Sequence, residues 1–161
     1  MMRTMAERLQ LAVDASLAVA ALLYSEDEPY KEIANQVFTD FHEGRIHLIA
    51  PEHIRVEVGH ALLRAVRRQR ISLQEGADRL DLFYSWQLET VRHTGLLLGG
   101  WRLAQRYGCS FYDAGYLALA VMADCRFIHA DGKLRNNLGV NFTTSYGLNH
   151  ILGDAPRSQL F

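Results

Sequence analysis

The sequence contains few cysteines and few prolines. Its 161 residues include two cysteines, Cys109 and Cys125, and three prolines, at positions 29, 51 and 156. Two cysteines cannot build the dense disulfide framework of a small secreted protein, so we expect a reducing compartment. Because repeats, linkers and low-complexity stretches are also lacking, we predict a single domain over residues 1–161. Its core should cover about 11–143, and the tail at 153–161 should be weakly ordered.

Long apolar runs and an excess of either charge are missing as well. The apolar run at 17–23 is far shorter than the roughly 20 residues of a membrane span. The acidic residues around it also make a poor signal peptide. Seventeen basic and 18 acidic residues give a net charge of -1, so any surface that attracts nucleic acid must be local. We therefore expect a soluble, cytoplasmic protein without a membrane association.

Motifs of several common enzyme classes do not occur. The sequence has seven histidines, but none is spaced with the cysteines as in a zinc site. It contains no G-x-S-x-G nucleophile elbow and no glycine-rich phosphate loop. These absences argue against a zinc protein, a serine hydrolase of the elbow type and a P-loop nucleotide hydrolase.

Short apolar segments alternate with amphipathic ones along the chain. Periodicity and capping residues predict strands at 11–13, 46–50, 89–93, 126–129 and 140–143. They predict helices at 17–24, 29–43, 54–70, 73–86, 96–107, 110–123 and 133–138. Such alternation favours an α/β fold, specifically a three-layer α/β/α sandwich with a mainly parallel central sheet. Ligands of such sheets bind beyond the carboxyl ends of the strands.

Four acidic residues interrupt the apolar pattern at strand ends or helix starts: Asp14, Glu57, Asp113 and Asp131. Taken singly, each has an ordinary explanation. Asp14 and Asp131 suit a helix start or a turn, and Glu57 suits a solvated helix. Ser110 and Asp113 have the spacing of a capping box.

Taken together, the four acids suggest a metal site. Carboxylates a few Å apart in a partly buried site repel each other by roughly several kcal/mol at an effective dielectric near 20. Such a cluster needs protons or a cation, and oxygen ligands select hard cations such as Mg²⁺ or Mn²⁺. These metals suit the hydrolysis of a phosphodiester.

Four segments match a known pattern: 13–16 (VDAS), 57–62 (EVGHAL), 112–120 (YDAGYLALA) and 130–134 (ADGKL). In these segments, which span nearly the whole chain, the sequence resembles the PIN-domain nucleases. It is most similar to the toxins of bacterial and archaeal VapBC toxin–antitoxin pairs. The resemblance implies that Asp14, Glu57, Asp113 and Asp131 bind Mg²⁺ or Mn²⁺ and catalyse endoribonuclease cleavage that leaves 5′-phosphate and 3′-hydroxyl ends. It also implies an inhibiting antitoxin protein.

Further residues near these segments have weaker signals. By the same resemblance, Ser16 supports the first acid through a hydrogen bond. His129 stands where the family often has a small hydroxyl residue, and it could support the site or touch substrate. Gly59 and Gly115 stand where larger residues are common. We expect these glycines to leave more room near the site.

The predicted helix at 54–70, which contains Glu57, has a basic end with arginines at 64, 67, 68 and 70. These side chains are either a solvated helix end or contacts for RNA phosphates, for which Arg64 and Arg68 are the candidates. The next helix carries many apolar residues: Leu73, Leu80, Phe83, Tyr84 and Trp86. They form either core or a surface for a homodimer or an antitoxin segment, and we expect a homodimer.

Two other functions stay open. The chain could be a Mg²⁺-dependent phosphatase in which Asp14 is the nucleophile, because an acid after a buried first strand also suits that chemistry. It could also be a non-catalytic PIN-like module that only binds a partner or RNA.

Overall fold

The computed structural model describes residues 8–23, 30–138 and 150–152. Within these ranges, five strands form one sheet in the order β3-β2-β1-β4-β5, and every neighbouring pair is parallel. The strands are β1 (Leu9–Val13), β2 (Ile46–Pro51), β3 (Glu89–Val91), β4 (Arg126–His129) and β5 (His150–Leu152). The chain builds outward from β1 through β2 and β3, then returns to the other side of β1 for β4. The crevice between the carboxyl ends of β1 and β4 is therefore the expected ligand site.

Seven helices in the described ranges surround the sheet. They are α1 (Ala15–Leu22), α2 (Lys31–His42), α3 (Ile54–Arg67), α4 (Leu73–Ser85), α5 (Leu97–Tyr107), α6 (Phe111–Met122) and α7 (Gly132–Leu138). Helix α6 packs on β1, β2 and β4 and is covered by α5, whereas α1 and α2 pack on each other and contact β4 and β2. The predicted three-layer sandwich with a parallel sheet is confirmed.

The central strands are apolar on both faces, as a parallel sheet between two helical layers requires. Leu11, Ala12 and Val13 of β1 are fully buried, and so are Phe127 and Ile128 of β4. Helix α6 is also buried along most of its length, which gives the carboxyl end of the sheet a rigid neighbour.

Several predicted boundaries were wrong. Helix α1 begins at Ala15 rather than at residue 17, because the carboxylate of Asp14 accepts a hydrogen bond from the Leu17 N–H and caps the helix. Helix α3 ends at Arg67 rather than at 70, and Gln69 has a left-handed φ of 58°. The predicted strand at 140–143, the tail at 153–161 and the start of the second helix at Pro29 lie outside the described residues. The observed β5 was not predicted.

Helices α3 and α4 form a close hairpin. Ser72 caps α4 in a capping box with Glu75, and a Cβ at Gly76 would lie 2.8 Å from Val66 of α3. The apolar residues of this region divide between the two roles that the sequence left open. Phe83 is buried in the core, whereas Leu73 is 75% exposed.

Among the described residues, no helix has the length and apolar character that crossing a membrane requires.

Candidate active site

A cavity of about 350 Å³ opens at the carboxyl ends of β1 and β4, and the four predicted acids line it: Asp14, Glu57, Asp113 and Asp131. Ser16, Tyr30, Arg64 and Tyr116 also line the cavity. The fold thus brings together acids from four separate segments, as the sequence predicted. Tyr30 and Tyr116 were not predicted.

Asp14 is the most deeply buried of the four acids, with 5% of its surface exposed. The Ser16 hydroxyl lies 2.8 Å from both of its carboxylate oxygens, and the Leu17 N–H donates to it at 3.1 Å. The predicted hydrogen bond from Ser16 to the first acid is therefore present. Ser16 also accepts from the Ala130 N–H, which connects the first turn of α1 to the residue after β4. Burial outweighs these bonds and raises the pKa of Asp14 to about 7, and the charges of Asp131 and Glu57 add to the rise.

Asp131 lies at the start of α7. Its carboxylate accepts from the N–H groups of Lys133 at 2.8 Å and Leu134 at 3.0 Å, which caps the helix. The Asp131 N–H donates to Nδ1 of His129 at 3.2 Å. His129 is fully buried and stacks on Phe127, so its ring supports the backbone beneath Asp131 and is out of reach of a ligand in the cavity.

Asp113 lies in the first turn of α6, which Ser110 caps, but the reciprocal capping-box bond from the Ser110 N–H to the Asp113 carboxylate is not formed between these two residues. The Ser110 hydroxyl accepts from the Asp113 N–H at 3.0 Å, as an N-cap should, and donates to the Asp113 carboxylate at 2.7 Å. The same carboxylate lines the cavity. Asp113 is therefore a site residue whose carboxylate is held by the cap of its own helix.

Glu57, in the first turn of α3, is held by a residue of α6. The hydroxyl of Tyr116 donates to Glu57 Oε2 at 2.5 Å. Burial raises the pKa of Glu57, and the charge of Asp113 raises it further, although the Tyr116 hydrogen bond opposes this rise. Burial also raises the pKa of Tyr116 well above its usual value, so its hydroxyl stays protonated and remains a donor.

A histidine pair lies behind Glu57 and was not predicted. The rings of His53 and His93 stack 4.5 Å apart, and Nδ1 of His53 is 3.1 Å from Nε2 of His93. Nε2 of His53 is 3.6 Å from Glu57 Oε2, too far for a hydrogen bond. Burial and the neighbouring His93 lower the pKa of His53 to about 4, so His53 is neutral at pH 7 and this contact is not an ion pair.

The expectation that the two glycines leave room near the site was wrong. A Cβ at Gly115 would lie 2.8 Å from Cε1 of His53, so the histidine ring already occupies that space. A Cβ at Gly59 would lie 3.8 Å from Leu80 of α4, because Gly59 lines an apolar groove between α3 and α4 rather than the cavity.

The two candidate arginines have different positions. Arg64 is exposed and lines the cavity, where it contributes a positive charge beside the acids. Arg68 follows the last residue of α3, is also exposed, and does not line the cavity.

The chemistry of the lining fits a hard divalent cation. Within residues 8–23, 30–138 and 150–152, no three acidic, histidine or cysteine side chains already lie close enough together to hold one ion. The carboxylates nevertheless interact: Asp131 and Glu57 raise the pKa of Asp14, and Asp113 raises that of Glu57. A cluster of oxygen donors that repel each other in a buried cavity is the donor set that Mg²⁺ or Mn²⁺ prefers.

Comparison with known proteins gives consistent results. The PIN domain model matches residues 11–137. Ribonuclease VapC1 of Mycobacterium tuberculosis is 37% identical over 86 residues, which cover 53% of this chain and only 63% of VapC1. VapC ribonuclease Mb0985 of Mycobacterium bovis is 30% identical over 124 residues, which cover 77% of this chain and 87% of that protein.

Two solved structures share the fold. The crystal structure of PAE2754 from Pyrobaculum aerophilum has a TM-score of 0.61 and 20% identity, covering 89% of this chain and 91% of that one. VapBC2 from Rickettsia felis, bound to a DNA fragment from its promoter, has a TM-score of 0.60 and 11% identity, covering 89% and 98%. The match over residues 11–137, together with the similarity to Mb0985, shows that this chain belongs to the PIN-domain family.

Proposed function

We propose that this chain is a metal-dependent endoribonuclease that hydrolyses RNA phosphodiester bonds and acts in the cytoplasm. The observation that carries the proposal is that four carboxylates from separate segments line one cavity in the crevice between the carboxyl ends of β1 and β4. The names of the relatives, Ribonuclease VapC1 and VapC ribonuclease Mb0985, support the reaction.

In this proposal Asp14, Glu57 and Asp113 hold Mg²⁺ or Mn²⁺, and Asp131 completes the site. A bound cation of this kind lowers the pKa of a water molecule and neutralises charge on the phosphate. The protein contributes fixed geometry: hydrogen bonds from Ser16, Ser110 and Tyr116, and from the backbone after Asp131, hold the carboxylates on helix starts.

Arg64 is the proposed phosphate contact of the chain. Arg64 lines the cavity together with Glu57, which lies on the same helix, and a guanidinium can bind two phosphate oxygens at once. Arg68, one turn further along, would contact the RNA backbone outside the cavity.

The proposed protein partners are a cognate antitoxin and a second copy of the chain. The structural neighbour VapBC2 is a VapBC complex, which supports an antitoxin partner. An apolar groove of about 190 Å³ between α3 and α4, lined by Leu63, Leu73 and Leu80, suits an amphipathic segment. For the homodimer, light scattering should give twice the mass of the 18.3 kDa chain, and a mass of one chain would contradict it.

The test of activity uses purified protein, several labelled single-stranded RNAs and Mg²⁺ or Mn²⁺. We expect cleavage with metal and none in EDTA or with Asp113→Asn. If no RNA is cut with either metal, the nuclease proposal fails. Unchanged function in Asp113→Asn would instead favour a non-catalytic module.

The phosphatase alternative requires a covalent phosphate on Asp14. The geometry disfavours it, because Asp14 is almost fully buried and the Ser16 hydroxyl contacts both of its oxygens. Acid quenching of a reaction with a phosphate monoester, followed by mass spectrometry, would detect the aspartyl-phosphate if it forms.

A further inference from the structure

We propose that Tyr116 is a positioning residue that fixes the carboxylate of Glu57 through its hydroxyl, and that His53 holds the Tyr116 ring in place for this purpose. The inference rests on the proposed metal-dependent function, because it concerns how one of the proposed ligands is held. It assigns a role to residues outside the four acids.

The hydrogen bond between Tyr116 and Glu57 joins two helices. Tyr116 lies on α6, three residues after Asp113, and is 2% exposed. Its hydroxyl donates to Glu57 Oε2, on α3, at 2.5 Å. An O–H donor to an ionised carboxylate makes a short and strong bond, about twice as strong as a neutral one. One oxygen of Glu57 is therefore anchored, and the other remains available as a ligand.

The Tyr116 ring is buried between two other rings. The His53 ring meets it edge-on with centroids 4.7 Å apart, and Phe127 stacks on it at 6.1 Å. His53 is in turn fixed by its stacked contact with His93 and by the close approach that Gly115 permits. The packing thus determines where the hydroxyl lies before any ligand binds.

The fixed donor limits the positions that the Glu57 carboxylate can take. The Glu57 side chain is 31% exposed, so its packing alone does not hold it in one rotamer. The Tyr116 hydroxyl, which comes from another helix, keeps one carboxylate oxygen in place. Partners of this kind typically change metal affinity or activity about 10–100-fold when they are removed.

The experiment measures Mn²⁺ binding by the electron paramagnetic resonance signal of free Mn²⁺, near pH 7.5. The variants are Tyr116→Phe, which keeps the ring, and Tyr84→Phe, a control that removes a hydroxyl from the exposed face of α4. We expect Tyr116→Phe to raise the Mn²⁺ Kd about tenfold or more and Tyr84→Phe to leave it unchanged. Circular dichroism in EDTA should show both variants folded.

A double-mutant cycle with Glu57→Gln tests whether Tyr116 acts through Glu57. If it does, Tyr116→Phe will change the Mn²⁺ Kd by less than twofold in the Glu57→Gln background. An equal effect in both backgrounds would overturn the inference. As a second readout, saturating Mn²⁺ should restore most of the RNA-cleaving kcat of Tyr116→Phe with little change in KM.

The outcomes separate the two proposals. If Asp113→Asn loses Mn²⁺ binding but Tyr116→Phe binds like the wild type, the positioning role is overturned and the proposed function stands. If the wild type itself binds no Mn²⁺, both are overturned.

Discussion

The carboxylates that line the cavity differ in how deeply they are buried. Asp14 is nearly inaccessible and has a pKa raised to about 7, whereas Asp113 and Asp131 are half-buried at helix starts. The ionised form of Asp14 therefore receives the least stabilisation from water of the four acids. It should also gain most from a bound cation.

Asp14→Asn should change how stability depends on pH. Because the pKa of Asp14 is raised from 3.8 to about 7 on folding, the native state holds the extra proton between these values. Its contribution to the unfolding free energy therefore falls as the pH rises from about 4 to 7, by at most about 4 kcal/mol at roughly 1.36 kcal/mol per pH unit. In EDTA, the stability of Asp14→Asn relative to wild type should rise across this window in urea titrations. A constant difference would contradict the assignment.

His53→Gln should show the opposite trend. The pKa of His53 is lowered from 6.5 to about 4, so the native state binds fewer protons than the unfolded chain in that window. Its contribution to stability is present above pH 6.5 and is lost as the pH falls towards 4. Relative to wild type, His53→Gln should therefore gain stability on acidification, measured by the same titrations. A gain on raising the pH would show that His53 is charged in the native state.

At the scale of elements, α6 packs closely against His53, the residue that precedes α3. The ring of His53 fills the position that a side chain at Gly115 would take. Two elements that lie far apart in the sequence are therefore fitted to each other at one point, directly behind Glu57 and Tyr116.

Gly115→Ala should destabilise the protein by about 1–3 kcal/mol, because the added methyl group must displace the His53 ring. In a His53→Ala background the same substitution should cost much less, since the space is then empty. Urea denaturation of the wild type, the two single variants and the double variant gives the coupling energy between the two positions. Additive effects would show that the contact does not limit the packing. Gly99→Ala, whose Cβ would meet only Ala118 at 3.6 Å, is the control on α5.

Local signals explain which elements could be predicted. Helix α6 runs from Phe111 to Met122, close to the predicted 110–123. The prediction succeeded because the capping serine and the apolar run follow each other directly in the sequence. The start of α1 was placed two residues too late because Asp14 suits either a turn or a helix start, and the hydrogen bond from the Leu17 N–H shows that it caps the helix. Tyr116 was missed although it lies three residues after Asp113. The His53–His93 contact spans 40 positions and leaves no local signal.

For the whole molecule, the cavity connects metal binding to global stability. The lining acids come from the starts of α1, α3, α6 and α7, so a cation in the cavity would bridge elements from both helical layers. Any ligand that binds only the native state raises the free energy of unfolding of the entire domain.

Mg²⁺ or Mn²⁺ should therefore raise the melting temperature of the wild type more than that of Asp113→Asn. At a metal concentration 100 times Kd the gain is about 2.7 kcal/mol. In EDTA, Asp113→Asn should melt at or above the wild-type temperature, because it removes one of the repelling charges. Differential scanning calorimetry measures both. An equal metal shift in the two proteins would mean that these acids do not form a metal site.

The helix starts in the cavity have a practical consequence for mutagenesis. Asp14 and Asp131 cap α1 and α7, and Asp113 is bonded to the cap of α6. Alanine at position 14 or 131 would remove a cap at a typical cost of about 1 kcal/mol, whereas asparagine caps a helix as well as aspartate does. Alanine at position 113 would remove the partner of the Ser110 hydroxyl. Alanine scanning of this cavity would therefore confuse unfolding with inactivation. Asparagine variants should give an inert but intact protein, suitable for trapping an uncut RNA in a crystal.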